Sequence, residues 1–259
     1  MSKNRESTLA RRNKIIDKLS VAGEVFVDQL SREFSVSEVT IRNDLDQLEK
    51  KRMLIRARGG AMKFEGRMGM DYGITEKDRI HIEEKRSIGK FSASLVEDGE
   101  IIIIDSGTTT VEFAKSIDHL ENITVITNAL NIALVLAHKN NINLIIPGGF
   151  MRKNSQSLVG PMAEKSIANF NVDKLFLGVD GIDVNNGLFT PNLEEAHLNE
   201  LMIRVSKEVI VLTDSSKFNK RSFAFICGMD KVNRVVTDKK IKEEDYNRLI
   251  EMGIEVSLV

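Results

Sequence analysis

Asp105-Ser106-Gly107-Thr108-Thr109-Thr110 places a carboxylate, a glycine and four hydroxyls directly behind the apolar run Ile101 to Ile104. If that run is a strand, these residues sit at its carboxyl end, where open α/β sheets bind ligands. If a helix opens at the threonines, its first-turn N–H groups lack helical partners and attract an anion. Gly107 lets the backbone approach a guest closely, and the hydroxyls add donors. Phosphate is the guest this chemistry suits, and a capped helix without a ligand is the plainer alternative. The run is not a P-loop, because GxxxxGK[ST] is absent.

Polar groups close four later apolar runs as well: Thr127-Asn128, Pro147-Gly148-Gly149, Gly178 to Asp183, and Thr213 to Lys217. A single Asp-Gly is more often a turn than a site. Five clusters at successive strand ends would collect along one rim of a parallel sheet. The expected effector-binding set is therefore Asp105, Ser106, Gly107, Thr108, Thr109, Thr110, Asn128, Gly148, Gly149, Asp180 and Lys217. Aspartate and asparagine suit sugar hydroxyls, and Lys217 suits a phosphate or carboxylate. Glu195, at a predicted helix start, joins this set or merely complements the helix dipole. His81, His119, His138 and His197 show no metal-ligand spacing with each other or with Cys227. No Ser-His-Asp arrangement can be argued from spacing. The expectation is no metal, no cofactor and no catalytic residue.

A second constellation lies in Val25 to Asp44, VFVDQLSREFSVSEVTIRND. Val27 to Phe34 reads as one helix. Ser35-Val36-Ser37 is a turn whose Ser37 suits an N-cap, and a further helix runs to about Lys51. Ile41, Leu45 and Leu48 face a core at i, i+4, i+7, leaving Glu38, Thr40, Arg42, Asn43 and Asp46 outward. That is the layout of a helix-turn-helix, whose second helix enters the DNA major groove. Ser37, Glu38, Thr40, Arg42 and Asn43 are the expected DNA-binding residues on it. Leu54 to Arg58 alternates like a strand and ends at Gly59-Gly60, a β-ribbon wing carrying Arg56 and Arg58 toward phosphates or the minor groove.

The elements that must position these groups follow from the same patterns. Leu9 to Ser20 reads as a first helix, broken at Ala22-Gly23. Residues 1–62 form a winged helix-turn-helix domain, with the helix-turn-helix itself at 25–44. Residues 63–73 have no period and read as a linker, and 74–259 as a sensor domain that begins with a mostly helical stretch to Val96. Beyond Glu100, strand runs at Ile101–Ile104, Ile123–Ile126, Leu144–Ile146, Leu175–Val179, Val209–Leu212, Val235–Val236 and Ile254–Leu258 alternate with helical stretches at 110–118, 129–139, 160–169, 193–206 and 242–251. Continuous β-branched runs alternating with helices predict an α/β fold with a mostly parallel sheet covered on both faces.

Charge divides along the same boundary. Residues 1–63 hold 14 Lys and Arg against 9 Asp and Glu, and the remainder 23 against 29. A basic head on an acidic body suits a polyanion-binding head, although ordinary scatter also produces such a split. No stretch approaches the roughly 18–20 apolar residues that span a bilayer. The N-terminus has charge but no apolar segment of a secretory signal, and one cysteine allows no internal disulfide. A cytoplasmic protein is expected, with no membrane partner.

Val36-Ser37-x-x-Thr40-Ile41-Arg42-x-Asp44-Leu45-x-x-Leu48-Glu49, followed by Arg58-Gly59-Gly60-Ala61, resembles the DeoR family of bacterial transcription regulators. The remainder is similar to the same family at Glu84-Lys85, Asp105 to Thr109, Thr127-Asn128, Gly148-Gly149, Asp180-Gly181-Ile182 and Asp214 to Phe218. Thr40 to Asn43, Ser155-Gln156-Ser157, Phe176 to Asp180 and Thr213 to Asn219 look most like the branch controlling N-acetylgalactosamine, galactosamine and tagatose use. The resemblance implies a winged helix-turn-helix joined to a sensor similar in fold to ribose-5-phosphate isomerase, and a phosphorylated sugar as effector. One departure is Asn43, where family members often carry a second arginine. Asn pairs with adenine and Arg with guanine, so the operator is expected to differ. The expected partners are double-stranded operator DNA, a phosphorylated sugar, and further copies of the chain in a homo-oligomer (dimer or tetramer), since one winged helix makes too few contacts for tight binding. The expected function is a repressor of an amino-sugar or tagatose-type operon. An isomerase-like enzyme carrying a DNA-binding head, and a DNA-organising protein with no effector, are the alternatives.

Overall fold

The computed structural model describes residues 8–50, 53–57, 59–63 and 71–259, and the chain divides into two compact units, residues 1–67 and 68–259. The first unit holds α1 (Thr8–Ala22), β1 (Glu24–Phe26), α2 (Val27–Phe34), α3 (Glu38–Lys50), β2 (Leu54–Ala57) and β3 (Gly60–Lys63). Helix α2 stops because Ser35 turns left-handed (φ 51°) and returns its N–H to Arg32 O. Ser37 then caps α3, its Oγ accepting from Thr40 N at 3.2 Å. Ile15, Leu19, Leu30, Ile41, Leu45, Leu48 and Leu54 close a single apolar core. At about 1.5–3 kcal/mol per fully buried aliphatic side chain, that core is what holds so short a segment folded.

Two details differ from the sequence reading. The wing is a three-stranded sheet in the order β1-β3-β2, because Glu24–Phe26 pairs with β3. Three residues are too few to show an alternating pattern. Lys63, assigned to the linker, pairs with Leu54 at the end of β3. Arg58 and most of the expected linker, 64–70, lie outside the described residues.

In the second unit the order is α4 (Ile74–Lys77), α5 (Ile82–Ala93), β4 (Ile101–Ile104), α6 (Thr108–Lys115), β5 (Ile123–Ile126), α7 (Leu130–Leu136) and β6 (Ile142–Ile145). Then come β7 (Phe150–Arg152), β8 (Ser157–Val159), α8 (Pro161–Ile167), β9 (Val172–Gly178), β10 (Gly181–Asp183) and β11 (Gly187–Thr190). The unit closes with α9 (Leu193–Arg204), β12 (Ser206–Leu212), β13 (Ala224–Cys227), β14 (Arg234–Thr237), α10 (Glu243–Glu251) and β15 (Glu255–Leu258). Seven strands form one sheet in the order β15-β14-β12-β9-β4-β5-β6, and every neighbouring pair is parallel.

Alternate residues of the central strands feed two cores. Ile102, Ile104, Phe176, Ile210 and Leu212 pack with Ile88 and Phe113 on one face. Ile103, Leu175, Leu177, Val209 and Val211 pack with Met202, Ile203 and Leu249 on the other. Burial on both faces is why these strands read as continuous apolar runs. The sequence reading missed the hairpin β7-β8 and the antiparallel sheet β10-β11-β13, both built largely from strands of three or four residues. It also ran one helical stretch through 78–81, where the chain breaks and His81 adopts φ 54°. Cys227 is buried, and burial pushes its thiol up to about 12.

Candidate functional site

Two groups of residues stand out, one in each unit. In the first unit, α3 turns Glu38, Val39, Arg42, Asn43, Asp46 and Gln47 to solvent. Ser37 and Thr40 are tied to each other, hydroxyl to hydroxyl, at 2.9 Å. Arg42 pairs with Glu38 at 2.6 Å on the exposed surface, a contact worth little in water and readily exchanged for a phosphate or base. Arg56 is more firmly held. Its guanidinium meets Asp46 at 2.9 Å and donates to Gly60 O at 2.7 Å, so it braces the wing against α3. Asp44 is the residue whose part the sequence did not disclose. It is 2 % exposed and accepts from Arg11 at 2.6 Å and Arg12 at 2.7 Å, locking α1 to α3.

In the second unit, a cavity opens at the carboxyl ends of β4, β9 and β12. Of the expected effector residues, Asp105, Ser106, Gly107, Thr108, Thr109, Asp180, Glu195 and Lys217 line it. Thr110, Asn128, Gly148 and Gly149 are absent from its lining. Thr110 is fully buried, and its hydroxyl donates to Gly107 O at 3.0 Å, steadying the loop from behind. Asn128, at the end of β5, is fully buried with neither amide atom partnered.

The loop at 105–109 is made by close backbone approaches. Gly178 lies so near that an added Cβ would stand 3.0 Å from Ser106 O. Gly107 supplies no side-chain cap to α6, so the first-turn N–H groups of that helix are left for another acceptor. A second approach fixes α6 against α5: a Cβ on Gly89 would meet Glu112 C at 2.5 Å and Phe113 N at 2.6 Å. Lys85 lies one turn before Gly89 and Thr108 one turn before Glu112, and both line the cavity.

The cations were the part missed. Lys77 and Lys85 join Lys217 in the lining, along with Tyr72 and His81. Lys77 Nζ bonds Asp180 at 2.6 Å, and Lys217 approaches the same carboxylate at 3.7 Å. Burial pushes Asp180 up, and the two ammoniums outweigh it and leave the acid below its usual range. Lys85 is 4 % exposed and donates to Lys77 O at 2.5 Å. Burial, with Lys217 and Lys77 adding repulsion against partial support from Asp214 and Asp78, brings it down to about 8. Asp105 is 2 % exposed, and burial together with the Glu195 charge holds it well above the carboxylate range. The amide of Asn199, turned to donate, reaches Asp105 Oδ1 and Glu195 O at 3.2 Å each.

Glu195 is more than a helix-dipole residue. It accepts from Ser157 at 3.0 Å and Thr190 at 3.3 Å and pairs with Arg152, which also pairs with Asp71. Ile74 N donates to Asn154 O at 2.6 Å. Residues 71–85 thus form a strap over the cavity, pinned at Asp71, Ile74, Lys77 and Lys85. Among the described residues no group of three or more His, Cys, Asp or Glu could hold a metal ion, and no helix is long and apolar enough to cross a membrane.

The model of the DeoR C-terminal sensor domain matches residues 80–239, and that of the DeoR-like helix-turn-helix domain residues 11–65. The chain belongs to the DeoR family. As a DeoR-family member it is a DNA-binding transcription regulator, with an N-terminal helix-turn-helix and a C-terminal α/β sensor domain. It is 39% identical over 253 residues to a protein of Escherichia coli O157:H7 named as an aga operon transcriptional repressor, covering 97% of this chain and 94% of that one. A lactose phosphotransferase system repressor of Staphylococcus epidermidis is 32% identical over 255 residues, covering 95% and 99%. Among solved structures, ribose 5-phosphate isomerase A from Methanocaldococcus jannaschii matches 53% of this chain and 55% of its own at 18% identity and a TM-score of 0.39, too loose a likeness to carry an argument about ligand or reaction.

Proposed function

We propose that this DeoR-family chain represses a carbohydrate catabolic operon of the amino-sugar or tagatose type, and that a phosphorylated sugar in the second-unit cavity modulates its hold on operator DNA. The observation that carries this reading is the convergence, in one cavity, of the uncapped start of α6, three lysines and the acids Asp105 and Asp180. An anion answers the lysines and the helix start, and hydroxyls answer the acids. The relatives named as repressors of sugar systems support the same direction. Ser37, Glu38, Thr40, Arg42 and Asn43 take the DNA, with Arg56 of the wing and, two positions on in the sequence, Arg58. The regulator works as a dimer or tetramer in the cytoplasm and needs no cofactor.

The route from effector to DNA is the chain itself. In this reading the strap at 71–85, which holds Lys77 and Lys85, is the part of the second unit that lies next in sequence to the first. An effector modulates DNA binding only if its affinity differs between two arrangements of the chain.

The test is thermal stability against a panel of sugar phosphates and their unphosphorylated parents. A selective shift with one phosphorylated sugar, lost in Thr108→Ala, is the expected result, because a ligand that binds only the native state stabilises it. No shift with any compound overturns the effector assignment. The carboxyl pair Asp105 and Glu195 is also what a sugar-phosphate isomerase would use to move a proton. Turnover of any panel sugar in an isomerase assay would replace the sensing role with a catalytic one.

A further inference from the structure

Helix α3 carries an apolar side chain that its own unit does not use. Val39 is 61% exposed, while the apolar residues Ile41, Leu45 and Leu48 of the same helix are buried. Valine is a weak helix former, so the position is not explained by helix stability. Single exposed apolar residues are common and need no reason. This one stands at the amino end of the helix that reads DNA, and its neighbours narrow what it can do. Ser37 and Thr40 hold each other, and Glu38 and Arg42 hold each other. The exposed residues one turn on from Val39 are Arg42, which pairs with Glu38, and Asn43. Val39 and Asn43 therefore form one stripe along the helix, an isopropyl group beside a carboxamide.

The base edge an apolar side chain can recognise in the major groove is the thymine C5-methyl, and the base a carboxamide pairs with in two hydrogen bonds is adenine. We propose that Val39 is a specificity-determining residue that packs on a thymine methyl, next to the adenine taken by Asn43, so that the operator half-site carries neighbouring A·T pairs at this stripe. The proposal rests on α3 being the helix that enters the major groove. It assigns to the exposed valine a contact that neither the charge pattern nor the polar residues of α3 supply.

The experiment selects duplexes from a randomised DNA library with the full-length chain. Each thymine of the selected half-site is then replaced in turn by deoxyuridine, which removes the methyl and nothing else. One position is expected to lose affinity about fourfold, the value of one buried methyl-sized group. In Val39→Ala, whose exposed site leaves folding unaffected, the deoxyuridine and thymine duplexes should bind alike at that position. Two results would overturn the proposal while leaving the DNA-reading role of α3 intact: no thymine sensitive to methyl removal, or a sensitivity that persists unchanged in Val39→Ala. Failure of the wild-type chain to enrich any sequence would overturn the DNA-reading assignment, and the proposal with it.

Discussion

The first unit meets its electrostatic needs internally, and the cavity of the second does not. Asp44, buried beneath the DNA-reading helix, has two arginines and no unmet acceptor in reach of water. In the cavity, burial brings Lys85 down to about 8 and holds Asp105 well above the carboxylate range, and outside its lining Asn128 has neither amide atom bonded. An unmet buried polar group costs about 1–3 kcal/mol. A surface that must bind DNA repeatedly profits from being finished before it arrives. On the proposed effector role, the shifted lysine and acid of the cavity are the deficit that a ligand would remove.

That contrast can be broken first at Asp44. Asp44→Ala should cost the first unit about 3 kcal/mol, because the buried Arg11 guanidinium and the half-buried Arg12 guanidinium lose their counter-charge. Denaturation should show the helix-turn-helix unfolding early while the second unit melts as before, and a loss under about 1 kcal/mol would remove the contrast.

Lys85→Met tests the other side and carries two opposite signs. Without ligand the variant should be more stable than wild type at neutral pH, since a buried charge has gone. Sugar-phosphate binding should weaken roughly ten- to a hundredfold, the range of one charge-assisted hydrogen bond. The folded chain releases the Lys85 proton near pH 8 and the unfolded chain near 10.5, so wild-type stability rises with pH across that window, and the variant should not share the rise. By the same linkage, binding of an anion at Lys85 should weaken above pH 8. If calorimetry shows affinity unchanged from pH 7 to 9, Lys85 does not contact the anion.

The smallest effect is expected at Asp105. Its folded pKa lies above the unfolded one, so its contribution is whole below the ordinary carboxyl range and lost as pH rises. Asp105→Asn should therefore match wild type near pH 4 and melt higher at pH 8. Equal melting at both values would mean that the acid is not strained by its burial.

Much of this was legible because it is local. Strand, turn and helix at 101–115 lie in unbroken sequence, so Asp105 to Thr109 could be placed at a strand end from pattern alone. The central strands, buried on both faces, announced themselves as apolar, largely β-branched runs. What was illegible arrives from a distance. Lys77 and Lys85 belong to a segment whose break at 78–81 hides behind a helical pattern, and Arg152 reaches Glu195 from a hairpin of three-residue strands. Asp44 could not be told from Asp46, two positions on, because its burial depends on arginines more than thirty residues earlier. Gly148 and Gly149 show the limit of that pattern: they follow a strand end and yet are absent from the cavity's lining.

Gly89 has a consequence for which ligands the second unit can learn to take. With the backbones of α5 and α6 this close at Gly89, the helices cannot approach further there, and any larger side chain at that position would drive them apart. On the proposed effector role, a variant tuned to a different sugar is expected to change on the strap or at Asp180 and Lys217 and to keep Gly89.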